Sequence, residues 1–342
     1  MKILIDAMGG DNAPEEIVKG VVRAAGETDA VIGLIGPEKV INKLLKKYHW
    51  NGNNIEVINA TEVIENCESP AMAIRKKKDS TIVVGMRMVK EGLGDVFISG
   101  GSTGALLSGG LLVLGRIKGI KRPAIAAWVP KIGMNGSTLL LDCGASVDSK
   151  PEYLLQNGIM GSLYVQGVKG IRSPRIKLLN IGAEDEKGDT LHREAHILLR
   201  DSSLNFEGNI EARDVVFGDC DVVVTDGFAG NIFLKGTEGM ALAIMKQFKK
   251  KLTEGMVAKA GAMLAYGKIR EIKDEFDYSD VGGAPILGLK GPVLKIHGNS
   301  EAEEVYHAVL KAIPYVRNNV TGMIEQAILS SREISDNGEQ ER

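Results

Sequence analysis

Between Val96 and Gly110 the chain reads V-F-I-S-G-G-S-T-G-A-L-L-S-G-G. Three apolar residues predict the end of a buried strand. Ser99 to Gly104 is a stretch of small residues, and Ala105, Leu106, Leu107, Leu111 and Leu112 follow at roughly helical spacing. A strand, a glycine-rich turn and a helix start belong to an α/β fold. Backbone N–H groups in such a turn can face an anion, and the helix dipole favours negative charge there. The same small residues also suit a close helix–strand contact. The spacing matches neither a Walker loop nor a full G-x-G-x-x-G, so the pattern alone implies no nucleotide.

The unit recurs along the 342 residues. Lys2 to Ala7 is apolar and ends in Asp6, Gly9, Gly10, Asp11 and Pro14; Asp11 or Asn12 could cap the helix that follows. Thr138 to Cys143 ends in Asp142, Gly144, Ser146 and Asp148, and Asp221 to Asp226 ends in Gly227, Gly230 and Asn231. Lys177 to Ile181 leads into a polar turn, residues 182 to 189, with Lys187 among four acids; its two readings are a solvated loop and a lysine held over a reacting carbonyl or phosphate. A last strand, Val293 to Ile296, ends at His297. In open α/β sheets, ligands bind at such carboxyl ends. The turns at 99–104 and 227–230 are expected to face each other across a cleft.

Alternating strands and helices predict a three-layer α/β/α sandwich. No linker interrupts residues 1–332, which read as one catalytic domain with a helical excursion near Lys249–Phe276. Residues 333–342 read as a disordered polar tail. Residues 302–332 read as helical, with breaks at Pro314 and Gly322.

The net charge is −2 and aromatics make up 5%, so no basic field or stacking platform points to nucleic acid. Three cysteines without a C-x-x-C pair fit reduced thiols in the cytoplasm. Cys143, on a strand with no histidine nearby in sequence, reads as packing. No apolar run spans a bilayer and no leader precedes the first strand. His192 and His196 have a metal pair's spacing but no H-E-x-x-H context, and read as a surface helix face. Leu252, Met256, Val257, Met263 and Leu264 form an apolar stripe among lysines and an arginine, compatible with core, a subunit contact or a membrane surface. Arg75 to Lys78 is a basic run: a solvated face or the seat of an acidic partner.

Taken in order, 6–14, 99–105, 141–148, 182–189, 225–231 and 282–300 resemble the motifs of PlsX-type phosphate acyltransferases. Ser102, Ser146, Asp189 and Ala229 depart from that family's pattern. The resemblance implies transfer of a fatty acyl group from acyl-carrier protein to inorganic phosphate, on a fold like those of phosphotransacetylases and isocitrate/isopropylmalate dehydrogenases. It implies Lys187 and Asn231 as catalytic residues. It places substrate at Asp6, Gly9, Gly10, Gly101, Ser102, Thr103, Gly104, Asp142, Asp226, Gly227 and His297. A homodimer on the inner face of the membrane follows from it too, with a downstream glycerol-3-phosphate acyltransferase as a further partner. The chemistry requires no metal or redox cofactor. The alternative activity is an acyl-CoA-dependent phosphotransacetylase. An NAD-dependent decarboxylating dehydrogenase would need a carboxylate cluster opposite a lysine and tyrosine, and a non-catalytic acyl-binding protein would show no turnover.

Overall fold

The computed structural model describes residues 1–134, 136–218, 220–275 and 282–340. In chain order the elements are β1 (Lys2–Asp6), α1 (Glu15–Ala25), β2 (Val31–Gly36), α2 (Glu38–Lys47), β3 (Ile55–Asn59), α3 (Pro70–Lys76), α4 (Thr81–Lys90), β4 (Val96–Ser99), α5 (Thr103–Gly109, continued by a π-helical turn, Gly110–Leu114) and β5 (Ala124–Pro130). Then come β6 (Ser137–Leu141), α6 (Pro151–Lys169), β7 (Ile176–Asn180), α7 (Thr190–Arg200), β8 (Phe206–Glu211), β9 (Val222–Val224), α8 (Gly227–Thr253), α9 (Met256–Leu264) and α10 (Tyr266–Glu275). The chain closes with β10 (Ala284–Leu287), β11 (Val293–Lys295), α11 (Ala302–Arg317) and α12 (Val320–Gln340).

The sequence reads as one domain because no linker divides it. The residues nevertheless cluster into two compact units, Met1–Ala127 with Ile159–Arg172 and Ser279–Arg342, and Trp128–Gly158 with Ser173–Tyr278. The chain passes between them inside β5 and α6, so a composition shift could not mark the boundary.

In the first unit the strand order is β3-β2-β1-β4-β11-β10-β5. β3, β2, β1, β4 and β11 pair in parallel, and β10 is antiparallel to β11 and β5. Parallel strands are covered on both faces and therefore read as apolar runs. Ile3, Leu4, Ile5, Leu34, Phe97 and Ile98 are fully buried, each contributing roughly 1.5–3 kcal/mol of transfer free energy. In the second unit the order is β6-β9-β7-β8, all parallel. Leu139 to Leu141 and Val222 to Val224 are its fully buried centre.

Several expectations need correction. The helical excursion begins earlier than Lys249: α8 runs unbroken for 27 residues from Gly227. Gly255, at φ +89°, then turns the chain into α9, and Phe276 lies outside the described residues. α11 passes through Pro314. The break falls at Asn318–Asn319, where Asn319 adopts φ +47° and its side chain accepts from Gly322 N–H. α12 runs from Val320 to Gln340. Val320, Ile324 and Ile328 anchor its first turns, and propagation then adds one backbone bond per residue fixed. α3 and β10 were not legible at all.

Candidate active site

In the first unit, β1, β4 and β11 are neighbours, so the turns that follow them emerge at one carboxyl edge. Asp6 is 1% exposed there. Its Oδ2 accepts from Ser99 Oγ at 2.7 Å and its Oδ1 from Met8 N–H at 3.0 Å. Ser99 Oγ in turn accepts from Gly101 N–H at 3.0 Å. Burial pushes the Asp6 carboxyl above its ordinary 3.8, against hydrogen bonds from Ser99, Thr81, Met8 and Gly9 that pull it down.

Gly9 is confined between these groups. A Cβ there would lie 2.8 Å from Gly101 N and 2.5 Å from Asp6 Oδ2. Gly10, at φ +115°, sits under the Gly298 carbonyl, which accepts from Asp11 N–H at 2.6 Å. Asn12 Nδ2 donates to the carbonyls of Asn299 and Ser300, so neither Asp11 nor Asn12 caps α1; Pro14 holds that position. Asp6, Gly9, Gly10, Asp11, Thr81 and Gly101 line a cavity of about 80 Å³, with residues 63–66 on one side. Gly104 faces Pro70, where a Cβ would lie 2.7 Å from Cγ; that glycine serves the α3–α5 contact. Ser102 and Thr103 carry the turn into α5, and His297 is exposed. Ser300, 3% exposed, has a hydroxyl with no hydrogen-bond partner.

The second unit repeats the arrangement after β6, β9 and β7. Asp142, 1% exposed, accepts from Gly144 N–H and Ala145 N–H with Oδ1 (3.1 and 2.9 Å) and from Ser146 N–H with Oδ2 (2.9 Å). Asp226 caps α8 by accepting from Phe228 N–H and Ala229 N–H, both at 2.9 Å. Gly227 and Gly230 let α8 start directly on the Asp142 turn: a Cβ at Gly227 would lie 2.7 Å from Asp142 Oδ2, and one at Gly230 would overlap the Asp142 carbonyl. The Asn231 side chain, half-buried, lies over Gly144, whose φ is +120°.

Lys187 is exposed, but its turn is fixed. Asn180 Nδ2 donates to the Lys187 carbonyl at 3.0 Å, and Asn209 Nδ2 to the Glu184 carbonyl at 2.7 Å. Asp189, one of the four family departures, caps α7 through His192 N–H and lies 2.7 Å from His192 Nδ1. The His192 ring, followed by the backbone bond, holds the Asp189 carboxyl below its ordinary value. His192 Nε2 is 3.7 Å from Asp226 Oδ2. Asp189, His192 and Asp226 thus tie the turn bearing Lys187 to the turn bearing Asn231.

What sequence reasoning missed is the place of His192 between the two turns. The surface-face reading of α7 is corrected: His192 keeps 16% of its side chain exposed, and His196 3%, against Phe206 and Asn209. The usable signal was D-x-x-H at a helix start. Cys143 is buried, its Sγ donating to the Leu140 carbonyl, as a packing cysteine does. The turns expected to face each other, 99–104 and 227–230, belong to different units. The first packs on 6–10, the second on 142–146. Among the described residues, no group of three or more His, Cys, Asp or Glu is placed to hold a metal ion.

A mainly parallel set of strands in each unit, with glycine turns at the carboxyl ends of the parallel strands, defines the class as α/β. The fold matches that of a phosphotransacetylase from Streptococcus pyogenes, with TM-score 0.64 over 92% of this chain and 94% of that one, at 18% identity. The model of the fatty acid synthesis protein family matches residues 1–323, and the chain belongs to that family. A phosphate acyltransferase from Caldanaerobacter subterraneus is 47% identical over 98% of this chain and all of its own length. One from Thermoanaerobacter pseudethanolicus is 46% identical over 96% of this chain and 98% of its own.

Proposed function

We propose that the chain transfers a fatty acyl group from acyl-carrier protein to inorganic phosphate, with Lys187 and Asn231 supplying the charge-stabilising donors. The observation that carries this reading is the rigid frame around them. Two capped aspartates and a histidine bracketed by carboxylates fix the turns that present one cation and one amide. Phosphate is already an oxygen nucleophile near neutral pH, so no Ser-His-Asp triad is required. A phosphate oxygen bonds to the thioester carbonyl carbon, and negative charge moves to the carbonyl oxygen. The charge returns as the C–S bond breaks, and the thiolate takes the proton that phosphate loses. Catalysis then consists of positioning and of donors aimed at the developing charge. The identity of 47% to phosphate acyltransferases, against 18% to a phosphotransacetylase, favours this activity over the acyl-CoA alternative. Mass detection of acyl phosphate from palmitoyl-carrier protein and phosphate tests it; product from palmitoyl-CoA alone would reverse the assignment.

The first unit's cavity is the proposed seat of substrate next to the glycine turn at Gly101, whose N–H donates to Ser99 Oγ. Asp6 is already engaged by donors there. A Cβ at Gly101 would meet Ile82 and Ser99 Oγ at 3.2 Å, so Gly101→Val narrows this space. The variant is expected to raise the KM for phosphate on the order of 10-fold. A rise confined to the KM for the acyl donor would assign the cavity to the thioester arm.

Among the described residues, none covers the stripe on α9. Met256, Val257, Met263 and Leu264 are 79–91% exposed, and Leu252 on α8 is half-buried. No described helix is long and apolar enough to cross a membrane. We assign the stripe to contact with an anionic bilayer, where a labile acyl phosphate is released near its consumer, a glycerol-3-phosphate acyltransferase. Lys259 and Lys268 flank it for headgroups. Met263→Glu with Leu264→Glu is expected to abolish co-sedimentation with anionic liposomes while soluble turnover persists. A variant that turns a dimer into monomers would give the stripe to a subunit interface.

A further inference from the structure

α4 and the π-helical end of α5 enclose an open groove of about 560 Å³ lined by Lys78, Val83, Arg87, Lys90, Leu112 and Val113, with Glu91 at its rim. Val83, Arg87 and Lys90 stand at i, i+4 and i+7 on α4 and so share one helical face. Lys78, Arg87 and Lys90 are exposed, and Arg75 and Lys76 stand exposed on the adjoining α3. α3, α4 and α5 meet at Gly109, where a Cβ would touch Met86 Sδ at 2.6 Å and Ile74 Cδ1 at 3.2 Å. Arg87 donates to the Lys78 carbonyl at 2.6 Å, which fixes its guanidinium at the groove wall. The π-turn is the uncommon element here, and it leaves Leu111 and Leu112 38% and 49% exposed between the cations. An apolar floor with a cationic rim and one acid is the complement of an acidic helix with apolar residues on its contact face.

The groove lies along two helices that begin at the glycine-turn cavity. α4 begins at Thr81, which hydrogen-bonds Asp6 and lines the glycine-turn cavity. α5 begins at Thr103, two residues beyond Gly101. Both helices start at the cavity and run to the groove. From Thr103 to Leu112 is nine residues, about 14 Å at 1.5 Å per residue. Along α4 the groove begins at Val83, two residues from Thr81, and its Arg87–Lys90 end lies about 9–14 Å of helix from the cavity, so a partner seated at that end and at Leu112 is within the span of an extended phosphopantetheine chain.

We propose that this groove docks the acidic carrier protein, whose prosthetic arm then runs along α4 and α5 to the cavity. The inference rests on the carrier-protein reading above and adds its docking site. The test is Lys78→Glu with Lys90→Glu, two exposed substitutions that leave the Arg87 bond in place, and separately Leu112→Glu. Each is expected to raise the Kd for acyl-carrier protein on the order of 10-fold and to raise the KM for that donor in step, with weaker salt dependence in the charge variant. The KM for phosphate and turnover of S-palmitoyl pantetheine, which has no carrier protein, should stay at wild-type values. An unchanged carrier Kd overturns the proposal, as does an equal KM rise for both donors. Loss of liposome binding at unchanged carrier Kd would give the groove to anionic lipid and overturns it too. If no donor yields acyl phosphate while the charge variant still weakens carrier binding, the reaction fails and the docking site stands.

Discussion

Gly230→Ala is expected to produce a protein that melts about 4 °C lower and makes no detectable acyl phosphate. Gly230 lies in the first turn of α8, buried against the Asp142 backbone. A Cβ there would overlap the Asp142 carbonyl oxygen and press on Thr225 Cγ2 at 2.6 Å. Neither neighbour can yield. Asp142 is held by three N–H donors, and its own N–H donates to Thr225 O at 3.1 Å. Overpacking of this kind costs on the order of 3 kcal/mol, which for a chain of this size corresponds to the melting shift given. The same push displaces Asn231 from Gly144, so activity goes with stability. Calorimetry and product detection on one preparation check both. A variant that melts like the wild type would mean that α8 can slide on the Asp142 turn.

Lys187→Ala and Asn231→Ala should each lower turnover on the order of 10²-fold, equivalent to about 2.7 kcal/mol of transition-state stabilisation. Lys187 is exposed, and Asn180 and Asn209 hold its turn through backbone carbonyls that alanine retains. Its loss should leave the melting temperature unchanged and lower kcat more than it raises the KM for phosphate. Near-normal turnover in Lys187→Ala would remove that lysine from the mechanism.

The sequence was most legible where physics is local. β1, β4, β6 and β9 are short apolar runs because parallel strands are covered on both faces, and glycine-rich turns follow three of them because backbones approach closely there. Elements that break local rules were missed. β10 contains Pro285 and is flanked by Gly282, Gly283 and Gly288, all at positive φ, so it read as a loop. α3 has seven residues, too few for a period. The pairing of the turns was out of reach as well. Asn12 bonds carbonyls more than 280 residues away, and His192 meets Asp226 only because β7 and β9 are neighbours. The i, i+4 histidine pair reads in sequence as a surface helix face, whereas each imidazole has its own carboxylate or amide partner.

The most direct measurement follows the free thiol of carrier protein released from palmitoyl-carrier protein, with and without inorganic phosphate. Direct attack by phosphate on the thioester predicts thiol release only when phosphate is present, matched one for one by acyl phosphate. Thiol released at the same rate without phosphate, with free fatty acid as the product, would make the protein a thioester hydrolase and contradict the account.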